Sequence, residues 1–129
     1  MKLVEILTRL GNKVKGIEDT LGKTTYNSWG KDVPQSVETE LGSIQLDAGS
    51  YVILATFSWY ESVADVQNMA LYVDGTLTRK VNNAANAGGG ATVGFVTTQA
   101  KQFTLSARAY NRNSKTIKCN CVLTTLRVK

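Results

Sequence analysis

The 129-residue chain has no histidine, only two cysteines and a single proline. Without histidine the usual general base is missing, and a serine or cysteine nucleophile would need an activator the sequence does not supply. Cys119 and Cys121 stand two apart in a strand-like segment and so share a face. A disulfide within C-x-C on an extended strand is strained, and two thiols without histidine do not build a zinc site. They are expected to be reduced and buried, acting as small hydrophobes. One proline and 43% hydrophobic residues exclude a disordered chain. Acidic residues are missing from a whole region: all lie between Glu5 and Asp74, while residues 75–129 carry nine Lys or Arg. That imbalance fits an acidic polymer as partner. Early and late strands interleave in a sandwich, however, so it need not become a surface patch. Long hydrophobic runs are also missing. The N-terminal apolar residues are interrupted by Arg9, Lys13 and Lys15, giving neither a membrane span nor the core of a signal peptide. The chain is expected to be made in the cytosol and to stay there, or to leave without a signal sequence.

What is present begins with a heptad stripe. Leu7, Val14 and Leu21 occupy one core position, and Leu3, Leu10 and Ile17 the other. A helix of about 20 residues is marginal alone in water, so the stripe implies a partner, first of all a second copy of the chain, with the chain's own body as the alternative. Lys13 and Glu18 fall at g and the following e, where opposite charges pair between helices. Gly11 and Gly16 act against the helix at about 1 kcal/mol each. This mixed Leu, Ile and Val core is compatible with dimers as well as trimers. The stripe defines a coiled-coil helix over residues 1–22, with Gly22 suited to a left-handed cap. Residues 23–36 read as a polar connector in which Tyr26 and Trp29 pin the chain to the body.

Residues 37–129 read as a β domain. VETELGSIQL alternates, with Gly42 as a candidate bulge. In YVILATFSW, Tyr51, Ile53, Ala55, Phe57 and Trp59 share one face, and Val52 and Leu54 make the other partly apolar, pointing to burial on both sides. Asp74-Gly75 is the clearest hairpin signal. NNAANAGGGA is a long loop without the spacing of a phosphate cradle. FTLSARAY buries Phe103, Leu105, Ala107 and Ala109 and presents Thr104, Ser106 and Arg108. In TIKCNCVLTTLRVK the apolar phase passes from Ile117, Cys119 and Cys121 to Val122, Leu126 and Val128. Either a bulge or a strand buried on both faces, as when one face lies against a neighbouring subunit, accounts for that shift. Seven or eight strands at roughly ten-residue spacing indicate a sandwich, a jelly roll or a small barrel.

The run Leu41-Gly42-Ser43-Ile44-Gln45-Leu46-Asp47-Ala48-Gly49-Ser50-Tyr51-Val52 resembles a segment of the small β heads on tailed-bacteriophage fibres and baseplates. LYVDGT and TTLRVK are similar to later strands of the same heads. The strand order resembles the jelly roll of tumour necrosis factor and of complement-type heads. The resemblance implies a mainly β chain: a short N-terminal coiled-coil helix followed by an antiparallel jelly-roll sandwich. It further implies a homotrimer with an inner sheet against the three-fold axis and no catalytic residues. Its place would be in a virion, among other virion proteins and against a host cell-surface glycan.

No cofactor or metal site is expected. Glu38 and Glu40, two apart, read as a solvated face, and Asp32, Asp47 and Asp74 as turn formers. Ligand contacts are expected in loops at one end of the sandwich. The candidates are Trp59, Tyr60, Tyr110, Asn111, Arg112 and Asn113, with Glu61, Asn82, Asn83 and Asn86 beside them. Aromatic rings stack on a sugar's apolar face while amides read its hydroxyls. Two other functions fit less closely. A receptor-binding module of tumour-necrosis-factor type lacks the signal peptide of a secreted cytokine. A nucleic-acid-binding β domain would need exposed aromatics among the basic residues, whereas Phe103 and most aromatics of the basic half fall at core phase.

Overall fold

The computed structural model describes residues 3–20, 23–61, 67–83 and 90–129. An N-terminal helix, α1 (Leu3–Thr20), precedes eight strands: β1 (Thr24–Val33), β2 (Thr39–Leu46), β3 (Gly49–Trp59), β4 (Gln67–Val73), β5 (Thr76–Asn83), β6 (Gly90–Gln99), β7 (Phe103–Asn111) and β8 (Ile117–Arg127). They form two four-stranded sheets ordered β1-β8-β3-β6 and β2-β7-β4-β5. The pairs β1/β8, β2/β7, β3/β6 and β4/β5 are all antiparallel, so the chain is one long hairpin rolled into two layers. That is the jelly roll.

Period-two alternation places the core. In β3 Tyr51, Ile53, Ala55, Phe57 and Trp59 are buried between the sheets. Across from them lie Leu41, Leu46, Met69, Leu71, Phe103, Leu105, Ala107 and Ala109. In β8 Ile117, Cys119, Cys121, Leu123 and Thr125 alternate inward without a register break against β3. The bulge offered for the end of β8 is therefore absent. Val122 and Leu126 lie half-buried on the outer side of a regular strand, among Lys118, Asn120 and Thr124. The outer face of β3 differs from expectation, since Val52 and Leu54 are 39% and 48% exposed in the single chain.

Residues 23–36, expected as a connector, hold strand β1. Their composition hides it, because β1 is an edge strand whose inward side carries only Trp29 and Val33 as large apolar groups. Trp29 does anchor the segment: its ring packs on the core and lies over Gly42, where a Cβ would fall 2.2 Å from the ring. Tyr26, by contrast, is exposed. Pro34, with no N–H to donate, follows the end of β1. Gly42 sits at a bulge, as its position indicated, with the ladder shifting between Glu40 and Gly42 so that Leu41 turns into the core. Ser106 of β7 is covered on the outer face despite pointing away from the core.

The Leu46–Val52 segment has a physical reason for its residues. Gly49 has φ +155°, and a Cβ there would stand 2.9 Å from both Arg127 Nε and the Lys129 carbonyl. Arg127 donates from Nη2 to the Ala48 carbonyl at 2.8 Å, and its guanidinium stands 5.9 Å from the Tyr51 ring centre. The Tyr51 hydroxyl donates to the Asp47 carbonyl at 2.8 Å, and its ring meets Phe103 edge-on at 5.6 Å. This turn thus locks the C-terminal strand to the start of β3. Asp74 and Gly75, with φ 48° and 78°, make the β4–β5 turn; Asp74 also accepts from the Thr104 N–H at 2.9 Å.

The N-terminal part of the stripe on α1 is uncovered. Leu3, Leu7 and Leu10 are 57–65% exposed, as are the neighbouring Val4 and Ile6 at 77% and 58%. Val14 and Ile17 continue the helix, whereas Leu21 and the Gly22 cap lie outside the described residues.

Replacing Gly49 with Ala should cost about 1–3 kcal/mol, because alanine at this φ is strained and the C-terminus crowds its methyl. Tyr51→Phe should cost about 1 kcal/mol, the value of its hydrogen bond. Urea unfolding midpoints check both. Burial pushes both thiols up to about 12, the neighbouring Cys121 adding to the effect at Cys119. Their folded values lie above the ordinary 9.0, so the stabilisation is complete below pH 9.0 and is lost as pH rises toward 12. Unfolding midpoints should fall more steeply across that window in the wild type than in a Cys119→Ala/Cys121→Ala variant.

Candidate functional site

Because odd-numbered strands run one way and even-numbered strands the other, the strand ends Val33, Trp59, Asn83 and Asn111 gather at one end. The chain enters from α1 at the opposite end, at Thr24. All six ligand candidates belong to that distal end or its margin, but they do different work. Trp59 is 5% exposed and belongs to the core, so its ring offers no face for stacking. Asn111 is fully buried. Its Nδ2 donates to the carbonyls of Val33 at 3.3 Å and Lys115 at 2.8 Å. Its Oδ1 accepts from the backbone and side-chain nitrogens of Asn113 at 2.9 and 2.8 Å. Asn111 and Asn113 therefore shape the 111–115 loop. A signal for this was in the sequence, since Asn-x-Asn before a strand suits a side chain that bonds its own backbone two residues on.

Three candidates remain toward solvent. Arg112 is exposed at the tip of the loop. Tyr60 is 63% exposed and faces the outer side of the first sheet. Its ring centre stands 5.2 Å from Lys118 Nζ, and a hydrogen bond with Asn120 together with the Lys118 charge lowers its phenol below the ordinary value. Nearby, Glu61 pairs with Lys115. Asn82 is exposed at the end of β5, and Asn86 lies outside the described residues.

Tyr110, the sixth candidate, points to a groove that loop reasoning missed. It lies on the outer face of the second sheet, has a volume of about 260 Å³, and is lined by Tyr110, Arg108, Tyr72, Asn68, Lys80 and Glu38 around Ala70, with Leu77 and Ala109. Ala70 pairs across the sheet with Lys80 on one side and Arg108 on the other, and Asn68 pairs with Tyr110. A small side chain ringed by long ones makes the depression. Arg108 stacks on Tyr72, its guanidinium carbon 4.2 Å from the ring centre, with Nη1 4.0 Å from Glu38 Oε1. The Tyr72 hydroxyl donates to the same carboxylate oxygen at 2.5 Å, which, with burial, raises its phenol. Glu38 is thus tied to Tyr72 and Arg108 rather than left as a plain solvated carboxylate. Among the described residues no group of His, Cys, Asp or Glu is arranged to hold a metal.

The outer face of the first sheet has another character. Its central part consists of Tyr26 and Ser28 on β1, Val122, Thr124 and Leu126 on β8, Val52, Leu54 and Thr56 on β3, and Thr92, Gly94 and Val96 on β6, with no charge among them. Val52 lies between Val96 and Leu126 in the register, so the apolar groups are contiguous. The basic residues of the second half do not make one stripe. Lys80 and Arg108 flank the groove, Arg112 and Lys115 lie in the distal loop, Lys118 is on the first sheet, and Arg127 clamps the turn at the opposite end.

No protein-family model matches the sequence, and no curated protein is similar to it. Solved structures are similar in fold. A pilus protein of Bacillus endospore appendages, described as a novel family of disulfide-linked pili, aligns with a TM-score of 0.54 at 7% identity, over 85% of this chain and 91% of that one. A CBM36-1 domain of a multidomain xylanase, from the hindgut metagenome of Trinervitermes trinervoides, gives 0.51 at 7% identity over 81% and 99%. The VP2 subviral particle of infectious bursal disease virus gives 0.51 at 13%, over 81% of this chain but only 32% of that one. At these identities the likeness shows the jelly-roll fold, which viral, pilus and xylanase-associated β domains share. No described helix is long and apolar enough to cross a membrane.

Asn111→Ala should cost about 2–4 kcal/mol, since it removes two donors and leaves buried carbonyls without partners. Amide exchange of residues 112–115 should rise well above that of the rest of β7 and β8, and equal protection in variant and wild type would contradict this role.

Proposed function

We propose that this chain is a non-enzymatic structural and binding protein. In this reading three copies assemble helix to helix and sheet to sheet as the head of a virion fibre or decoration, which attaches to a bacterial surface glycan. The observation that carries the reading is the pairing of two uncovered apolar surfaces in one chain: Leu3, Leu7 and Leu10 of the heptad stripe of α1 and the uncharged centre of the outer face of β1-β8-β3-β6. Scattered exposed apolar residues are ordinary. A contiguous patch at the centre of a sheet without a charge is not, and symmetry gives it a reason. At a rotation axis each residue meets its own copies, so any charge there faces like charge in a desolvated contact. Val, Leu, Thr and Ser avoid that cost. The heptad stripe is self-complementary in the same sense. Val4 and Ile6 flank the seam and widen it, which favours more than two helices, because flanking positions become buried as helices are added. The phage-head-like residues Leu41–Val52 supply the virion part of the reading.

Light scattering of the full chain should give three times the 14.0 kDa chain mass. Leu54→Glu, which sets like charges together at the axis, should lower that mass while leaving the strand spectrum of the head intact. A wild-type monomer would sink the assembly.

A further inference from the structure

We propose that the groove around Ala70 is a binding site for an acidic saccharide, a hexuronic acid unit within a glycan. The inference deepens the attachment reading above, and rests on it only for the groove facing outward in the assembly; the groove itself is complete in one chain. Its lining divides by chemistry. Tyr72 and Tyr110 stand on neighbouring strands with the methyl of Ala70 between them, which leaves a floor and aromatic flanks for the apolar face of a pyranose ring. Lys80 and Arg108 stand on opposite sides of Ala70 in the register. Among the described residues no carboxylate pairs with Lys80, so a ligand carboxylate has an open ammonium on one wall and a guanidinium edge on the other. Arg108 is pre-set by its stack on Tyr72, so little side-chain freedom is lost when it receives an anion. Glu38, held by Tyr72 and Arg108, offers acceptor capacity to sugar hydroxyls at the groove's edge. The amide oxygen of Asn68 is shielded from water and has no hydrogen-bond partner among the described residues. A rotation of that amide presents it to a hydroxyl donor and relieves an unsatisfied group. With about 260 Å³, the groove takes one sugar unit and not a longer stretch of chain. The cations set the preference for an acidic over a neutral sugar, and the rings set the preference for a sugar over a bare anion.

The test is calorimetric titration of the full chain with oligoglucuronate, with a neutral glucose oligomer of equal length, and with inorganic phosphate. The oligoglucuronate should bind at least tenfold more tightly than the neutral oligomer, and phosphate should not compete at millimolar concentration. Lys80→Ala should weaken uronate binding about tenfold, as expected for one charge-assisted hydrogen bond, and leave the neutral oligomer unchanged. Ala70→Leu, which fills an outward depression without touching the core, should abolish binding at an unchanged melting temperature. Equal affinity for both oligomers overturns the acidic assignment, phosphate competition overturns the saccharide, and uronate binding that survives Ala70→Leu overturns the groove. Solution mass measured on the same samples keeps the assembly question separate, since a monomer that binds oligoglucuronate supports the site and refutes only the trimer.

Discussion

Everything in this molecule depends on the register of β3 and β8 at the centre of the first sheet. A strand's side chains alternate, so a slip of one residue would exchange its whole inward set for its outward set. The inward set of β3 is Tyr51, Ile53, Ala55, Phe57 and Trp59, and the inward set of β8 is Ile117, Cys119, Cys121, Leu123 and Thr125. A slip would bury Ser58 or Lys118 and expose Phe57 or Leu123, at a cost of several kcal/mol for each strand. The turn through Gly49 holds the register at one end, where Arg127 grips the Ala48 carbonyl and Tyr51 grips Asp47. At the other end Asn111 ties the close of β1 to the loop before β8.

The same alternation makes two outer faces of opposite character. On the first sheet Val52, Leu54, Val96, Val122 and Leu126 face away from the core without charge. On the second, Lys80, Arg108, Tyr72, Tyr110 and Asn68 surround Ala70. An uncharged, apolar centre suits contact with its own copies, and a face of rings and cations suits a soluble, hydroxylated anion. In the proposed reading, assembly and recognition fall on different sheets of one sandwich, so neither has to compromise the other's surface chemistry.

Much of the fold was legible because strand alternation is a local signal. The helix, the bulge at Gly42, the Asp74-Gly75 turn and the strands from Thr39 onward can be read from neighbouring residues alone. β1 was not legible, since an edge strand needs few apolar groups and gains its order from pairing with β8, nearly a hundred residues away. The ligand candidates show the same division. Trp59 and Asn111 carry the residue types of a sugar site, yet one is spent on the core and the other on its loop. Tyr110 was recognisable, but its neighbours Asn68, Ala70, Tyr72 and Lys80 come from β4 and β5, and their convergence is a property of the sheet.

By itself the sequence determined the helix-then-strands plan, the identity of most core residues, the buried thiols and the absence of histidine chemistry. Each follows from composition or from spacing within one segment. Only the tertiary structure decided the strand order, the place of β1, the uncharged centre of the first sheet's outer face and the groove around Ala70. These arise where strands distant in the chain lie side by side about 5 Å apart. Which side chains then share a face is set by pairing register, which no single segment contains.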